Sequence, residues 1–156
     1  MDTCKTLIQR QTGFSLIEVM IVVAIVAILG SIALPSYTSY ITRGKITDVV
    51  SILADYRIRM EQYYQDNRNY GTAGVGVACP VAAAASKYAT FTCTIVGNPS
   101  TSYTVTATSI AQSLGAATGD YTFTINEANA KGTTKFKGTA YGAGVKACWL
   151  VGGSEC

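Results

Sequence analysis

A chain of 156 residues has room for one membrane-associated element and one small domain, not for two full cores. Hydrophobic residues make up 49% and charged ones only 13%, well below the usual share, and the absence of histidine removes the commonest general base and metal ligand together. A net charge of +3 does not by itself imply a nucleic-acid partner.

Residues 1–13 are polar, with Lys5 and Arg10 ahead of an apolar run, and resemble the charged start of a targeting segment. The run itself, Phe14 to Leu34, is twenty-one residues with one charge, Glu18. It matches the roughly 20 apolar residues that a helix needs to cross a bilayer. Ala33-Leu34-Pro35 is a poor match to a secretory cleavage site, and the helical pattern continues past it. Ile46, Val49, Val50, Leu53, Tyr56, Met60, Tyr63 and Tyr64 recur at steps of three and four, one face of a continuing helix. A helix from Phe14 to about Gln65 would be roughly 78 Å long at 1.5 Å per residue, far more than a membrane's thickness. The spacing therefore predicts an apolar half for lipid, 14–35, and a second half, 36–65, that offers its stripe to a globular partner.

Glu18 stands out within the apolar run. A carboxylate at the centre of such a segment costs on the order of 3 kcal/mol, less near an interface, and usually has a partner. No Lys, Arg or His lies within helical reach inside the run. The partner must be another chain, a free amino terminus, or the headgroup layer reached by snorkelling. Cleavage between Gly13 and Phe14 would create an amine four residues from Glu18, and a neighbouring subunit offset by about one turn would satisfy both groups between chains. Pro35 removes a backbone donor and should bend or loosen the helix, in a turn that Gly30 and Ser31 already weaken.

Turn formers from Asp66 to Gly71 end the helix, and residues 66–88 read as a long loop over the domain, with room for one helical turn at Val81 to Ser86. Strict alternation follows across 89–138. Phe91, Cys93 and Ile95, then Tyr103, Val105 and Ala107, then Tyr121, Phe123 and Ile125 alternate with polar residues, mostly threonine, as half-buried antiparallel strands do. Asn98-Pro99-Ser100 fits the first turn, Asn129-Ala130-Lys131-Gly132 the last, and Thr133 to Lys137 a fourth strand. The expected fold is α+β: a long amino-terminal helix, its hydrophobic half protruding, packed on a four-stranded antiparallel sheet.

Four of the five cysteines, Cys79, Cys93, Cys148 and Cys156, lie beyond the apolar run. An even set in a small domain reads as two disulfides formed in an oxidising compartment, which places the domain outside the cytoplasm where charge counting cannot. Of the three possible pairings, Cys79 with Cys93 and Cys148 with Cys156 close the shortest loops, the second within the tail 139–156.

No histidine-based triad, C-x-x-C redox site or phosphate fingerprint is present, so neither catalysis nor a cofactor is expected. One weak signal remains. Lys131, Lys135, Lys137 and Lys146 are interspersed with Phe136, Tyr141 and Trp149, a composition that could grip a DNA backbone and stack on bases. Lysines of this kind more often keep edge strands soluble, so nucleic acid is a possible partner and not the favoured one.

Gly13-Phe14-Ser15-Leu16-Ile17-Glu18-Val19-Met20 resembles the type IV prepilin signature, and the similarity extends through Leu34-Pro35-Ser36-Tyr37 and Met60-Glu61-Gln62-Tyr63-Tyr64-Gln65-Asp66-Asn67. The resemblance implies a 1–13 leader cut after Gly13 by a prepilin peptidase and N-methylation of Phe14. It implies that Glu18 guides docking through a neighbour's amino terminus, and that the helix melts locally between about Ala27 and Pro35. It implies a Cys148 to Cys156 disulfide around a variable surface region. The expected function is a structural subunit of a type IV pilus, for adhesion, twitching motility or DNA uptake. Before assembly the subunit would sit in the inner membrane with its domain, 36–156, in the periplasm. Its partners would be other pilins, the peptidase, the assembly platform and lipid. Tyr63 to Asn67 and the Cys148-Trp149 tail resemble Gram-negative minor pilins more than abundant ones. A type II secretion pseudopilin is the alternative, although Asn126 to Gly132 is poor in carboxylates for that family's calcium loop.

Overall fold

The computed structural model describes residues 13–72, 79–97, 101–115, 117–142 and 145–153. Helix α1 runs Leu16–Asn67, close to the expected bounds, with Pro35 inside it. A continuous apolar run carries its first half and a stripe at steps of three and four its second, and Arg68, at φ 59°, breaks it. Two compact units divide the chain at Thr38 and Ser39.

In the first unit the large apolar side chains face outward: Phe14 is 83% exposed, and Leu16, Ile17, Met20, Val26 and Ile32 are exposed as well. Pro35 does not interrupt the helix assignment. Ser31 and Thr38 each donate a side-chain hydrogen bond to the carbonyl three residues back, Ile28 at 2.7 Å and Pro35 at 3.0 Å, which serves backbone acceptors around the proline.

In the second unit the sheet is a five-stranded antiparallel meander in the order β1 (Ala89–Val96), β2 (Ser102–Ser109), β3 (Thr122–Asn126), β4 (Lys131–Phe136), β5 (Thr139–Ala140). The alternation read from the sequence holds: Tyr103, Val105, Ala107, Phe123 and Ile125 are buried, while Thr90, Thr92, Thr94 and Thr104 on the other face are exposed. The helical stripe Ile46, Val49, Val50, Leu53, Tyr56 and Met60 joins these strand residues in one core, with Leu150 from the tail. Tyr63 and Tyr64 depart from the expected stripe. Tyr63 is half-buried and Tyr64 exposed, its ring lying 4.6 Å from that of Tyr70.

The fifth strand was not expected. It forms because Lys137 (φ 51°) and Gly138 (φ 78°) both take left-handed conformations, the requirement of a tight two-residue hairpin turn. The fourth strand begins two residues earlier than the alternation suggests, inside the expected turn. Its register with β3 shifts between Thr122 and Phe123, which pair with Lys135 and Thr133. The extra residue, Thr134, is a β-bulge. Residues 81–86 form no helical turn. The Cys79–Cys93 disulfide, a Tyr56 hydroxyl bond to the Val81 carbonyl (2.6 Å) and an Arg59 bond to the Ala82 carbonyl (3.3 Å) hold this stretch instead. The expected turn at Asn98-Pro99-Ser100 lies outside the described residues.

Candidate functional site

Apart from Arg68 and Lys87, the cations of the second unit fall into two groups. Those on α1 hold the fold together. Arg43 donates to the Gly152 carbonyl (3.0 Å), Lys45 to the Ser113 carbonyl (2.8 Å), Arg57 to the Glu127 carbonyl (3.5 Å), and Arg59 also bonds Asp55 (2.6 Å). Arg59–Asp55 is the one ion pair among the described residues. The second group is Lys131, Lys135, Lys137 and Lys146, none of which has a carboxylate within ion-pair distance among those residues. Lys131 and Lys137 are exposed and Lys135 and Lys146 half-buried, and charge without an ion-paired carboxylate among the described residues is the electrostatic condition for attracting an anionic polymer.

The bulge decides how these lysines are distributed. Lys135 stands opposite outward-facing Thr122, whereas Lys131 stands opposite buried Ile125, so the two fall on different faces of the sheet. A regular strand would have put them on one face, because a period of two returns every second side chain to the same side. Lys137 occupies the β4–β5 turn, with its ammonium 5.9 Å from the Phe136 ring. Lys146 belongs to the tail and is joined to β4 through its backbone.

That junction is built on Thr133, which is fully buried. Its N–H donates to the Lys146 carbonyl (2.9 Å) and its carbonyl accepts from Lys146 N–H (3.3 Å). Its hydroxyl donates to the Cys148 carbonyl (2.7 Å) and accepts from Leu150 N–H (3.0 Å). Four hydrogen bonds from one residue thus lay the tail along β4. Nothing in the sequence marked Thr133 apart from its many threonine neighbours. Trp149, one of the aromatics of the weak DNA signal, is half-buried; its indole N–H donates to the Thr124 carbonyl (2.9 Å), and Lys131 Nζ sits 4.8 Å from the ring centre. The ring is committed to the fold, and exposed Lys131 is the group it presents. Cys148 is disulfide-bonded; Cys156, its expected partner, lies outside the described residues.

A second polar cluster lies at the far end of the helix. Tyr70 donates its hydroxyl to both oxygens of Glu61 (3.1 and 3.2 Å), and Glu127 accepts from Tyr103 N–H (3.1 Å). Burial, followed by the hydrogen bond to Glu61, pushes the Tyr70 hydroxyl up to about 12. Burial and then the Glu61 charge raise Tyr103 further, and its hydroxyl is buried with no hydrogen-bond partner among the described residues. These groups are structural, too strongly held as neutral phenols for acid–base work near neutral pH.

Comparison with known families bears on both units. Residues 8–34 match the prokaryotic N-terminal methylation motif. Residues 35–117, more than half of the chain, match a family described as type IV minor pilin ComP, DNA uptake sequence receptor. The chain belongs to this minor pilin family. Similar proteins include the fimbrial protein EcpC of Eikenella corrodens, 37% identical over 75 residues, covering 47% of this chain and 49% of EcpC. The type IV major fimbrial protein FimA of Dichelobacter nodosus is 42% identical over 66 residues, covering 42% of each. The type IV major pilin protein PilE1 of Neisseria gonorrhoeae is 35% identical over 80 residues, covering 50% of this chain and 48% of PilE1. The chain thus spans about half the length of the curated relatives it matches. The minor-pilin match stops before β3, so Lys131, Lys135, Lys137, Lys146 and Trp149 of this pilin lie outside it.

Proposed function

We propose that this pilin is a subunit of a type IV pilus whose globular domain binds DNA for uptake. The observation that carries the proposal is the meeting of two matches at Leu34 and Pro35, a methylation motif on an exposed apolar helix and a DNA-receptor pilin family from there onward. In this reading residues 1–13 are removed by a prepilin peptidase, Phe14 becomes the methylated first residue, and Glu18 pairs with a neighbour's new amino terminus. Leaving lipid for a bundle of identical helices gives no hydrophobic gain, so close packing and the Glu18 pairing set the register, while an inner-membrane platform supplies the work. Any loosening around Pro35 on assembly belongs to the same reading. The domain is periplasmic before assembly, as the Cys79–Cys93 disulfide favours, and then extracellular.

On residues alone the four lysines read first as a solvated edge. The family description and the absence of ion-paired carboxylates around them among the described residues turn the balance toward DNA. Three measurements test the proposal. Mass spectrometry of chain recovered from sheared filaments should report methylated Phe14 as the first residue, and Glu18→Ala should abolish filament formation; a chain still beginning at Met1 in cells that carry the peptidase overturns the assembly reading. The full chain in detergent micelles should bind duplex DNA in a salt-dependent way, weakened by Lys135→Ala with Lys137→Ala. No binding at low salt ends the DNA reading.

A further inference from the structure

Beside the tail, at the end of the sheet near the β3–β4 turn, lies an open cleft of about 350 Å³ lined by Thr104, Thr124, Asn126, Lys131, Gly132 and Val145, among others. Its volume is at the small end of the range for ligand sites, roughly 300–1,000 Å³. The chemistry of its lining is mixed in a particular way. Thr104 and Thr124 supply hydroxyls, and Asn126 supplies an amide whose oxygen already accepts from Ala130 N–H (2.8 Å), leaving its NH2 donors without a partner among the described residues. Val145 supplies an apolar wall, and Lys131 supplies a cation. Gly132 allows the close approach of this wall to the floor: a Cβ there would lie 2.5 Å from the Thr124 hydroxyl and 3.2 Å from Val145.

Building on the DNA reading above, we infer that this cleft is a subsite for one unstacked nucleotide of the bound strand, with Lys131 taking its phosphate. Donors and acceptors at the floor suit the edge of a base, the apolar wall suits its face, and a single cation at the rim suits the backbone. Trp149 is the positioning residue. Its indole, anchored to the Thr124 carbonyl and flanked by the Thr133 clamp on Cys148 and Leu150, carries the Lys131 ammonium on its face. A lysine on a four-carbon stem would otherwise lose rotamer freedom on meeting a phosphate; held on the ring, it has less to lose. Because the base must leave its stack, a single strand should gain more from the cleft than a duplex, which pays to unpair.

The test uses the full chain in detergent micelles and two fluorescent probes, a short oligothymidine strand and a duplex of equal length, followed by anisotropy over a range of salt. Thr104→Phe, at an exposed position, fills the cleft and should weaken the single strand about tenfold relative to the duplex. Lys131→Ala should lower the salt slope by roughly 0.7 on the single strand and 0.9 on the duplex. Trp149→Leu should reproduce the lysine loss, and Trp149→Phe, which keeps an aromatic face, should restore most of it. Parent chain that binds neither probe overturns the underlying DNA reading. Parent chain that binds, with Thr104→Phe affecting both probes equally or neither, overturns the cleft alone. Failure of Trp149→Phe to restore the slope overturns the positioning role.

Discussion

Replacing Thr133 by valine keeps the shape of the side chain and removes only its hydroxyl. That hydroxyl makes two hydrogen bonds, to the Cys148 carbonyl and from Leu150 N–H, at a site with no exposed surface. Each bond contributes about 0.5–1.5 kcal/mol net, and a buried group left unpaired costs about 1–3 kcal/mol. The Leu150 amide is such a group, since Leu150 is 1% exposed. Because these contributions overlap, we expect a loss of about 2–4 kcal/mol, far above the cost of a surface change. Denaturant unfolding of the full chain in micelles measures it, and Trp149, the single tryptophan, reports on the tail directly through its fluorescence. Valine should shift the emission toward that of exposed indole even before the domain unfolds, because the tail loses its clamp. A stability change below about 0.5 kcal/mol with unchanged emission would refute the claim that Thr133 holds the tail.

Replacing Cys79 and Cys93 together by serine opens a loop with a sequence separation of 14 and should cost about 3 kcal/mol, read as a lower denaturant midpoint with a steeper slope, because the unfolded chain freed of the cross-link exposes more surface. Alkaline pH should destabilise the domain. Tyr70 and Tyr103 keep in the folded state protons that the unfolded chain releases near the ordinary value of 10.0, so their stabilisation is complete below about pH 10 and falls as pH rises from 10 toward 12. Tyrosinate absorbance followed alongside unfolding checks this: all ten tyrosines ionising together near pH 10 in the folded chain would contradict it.

Much of this architecture is legible in the sequence because it depends on period alone. An apolar run of spanning length, a stripe at steps of three and four, and alternation at steps of two each record the environment that a residue's own element will meet. Glu18 stands out in the same way, as the one charge in an otherwise apolar stretch. The lysine arrangement is different. A single inserted residue, Thr134, turns Lys131 and Lys135 to opposite faces, and a bulge leaves no compositional trace in a threonine-rich strand. Trp149 looked like a free platform, yet its N–H is taken by a strand that lies 25 residues earlier in the chain. The Thr133 clamp likewise joins groups 15 and 17 residues apart. Periodicity thus determined the helix, the sheet and the apolar segment. Contacts between distant residues decided which lysines stand together and what holds them, because hydrogen bonds across elements form only when the fold brings their partners within reach.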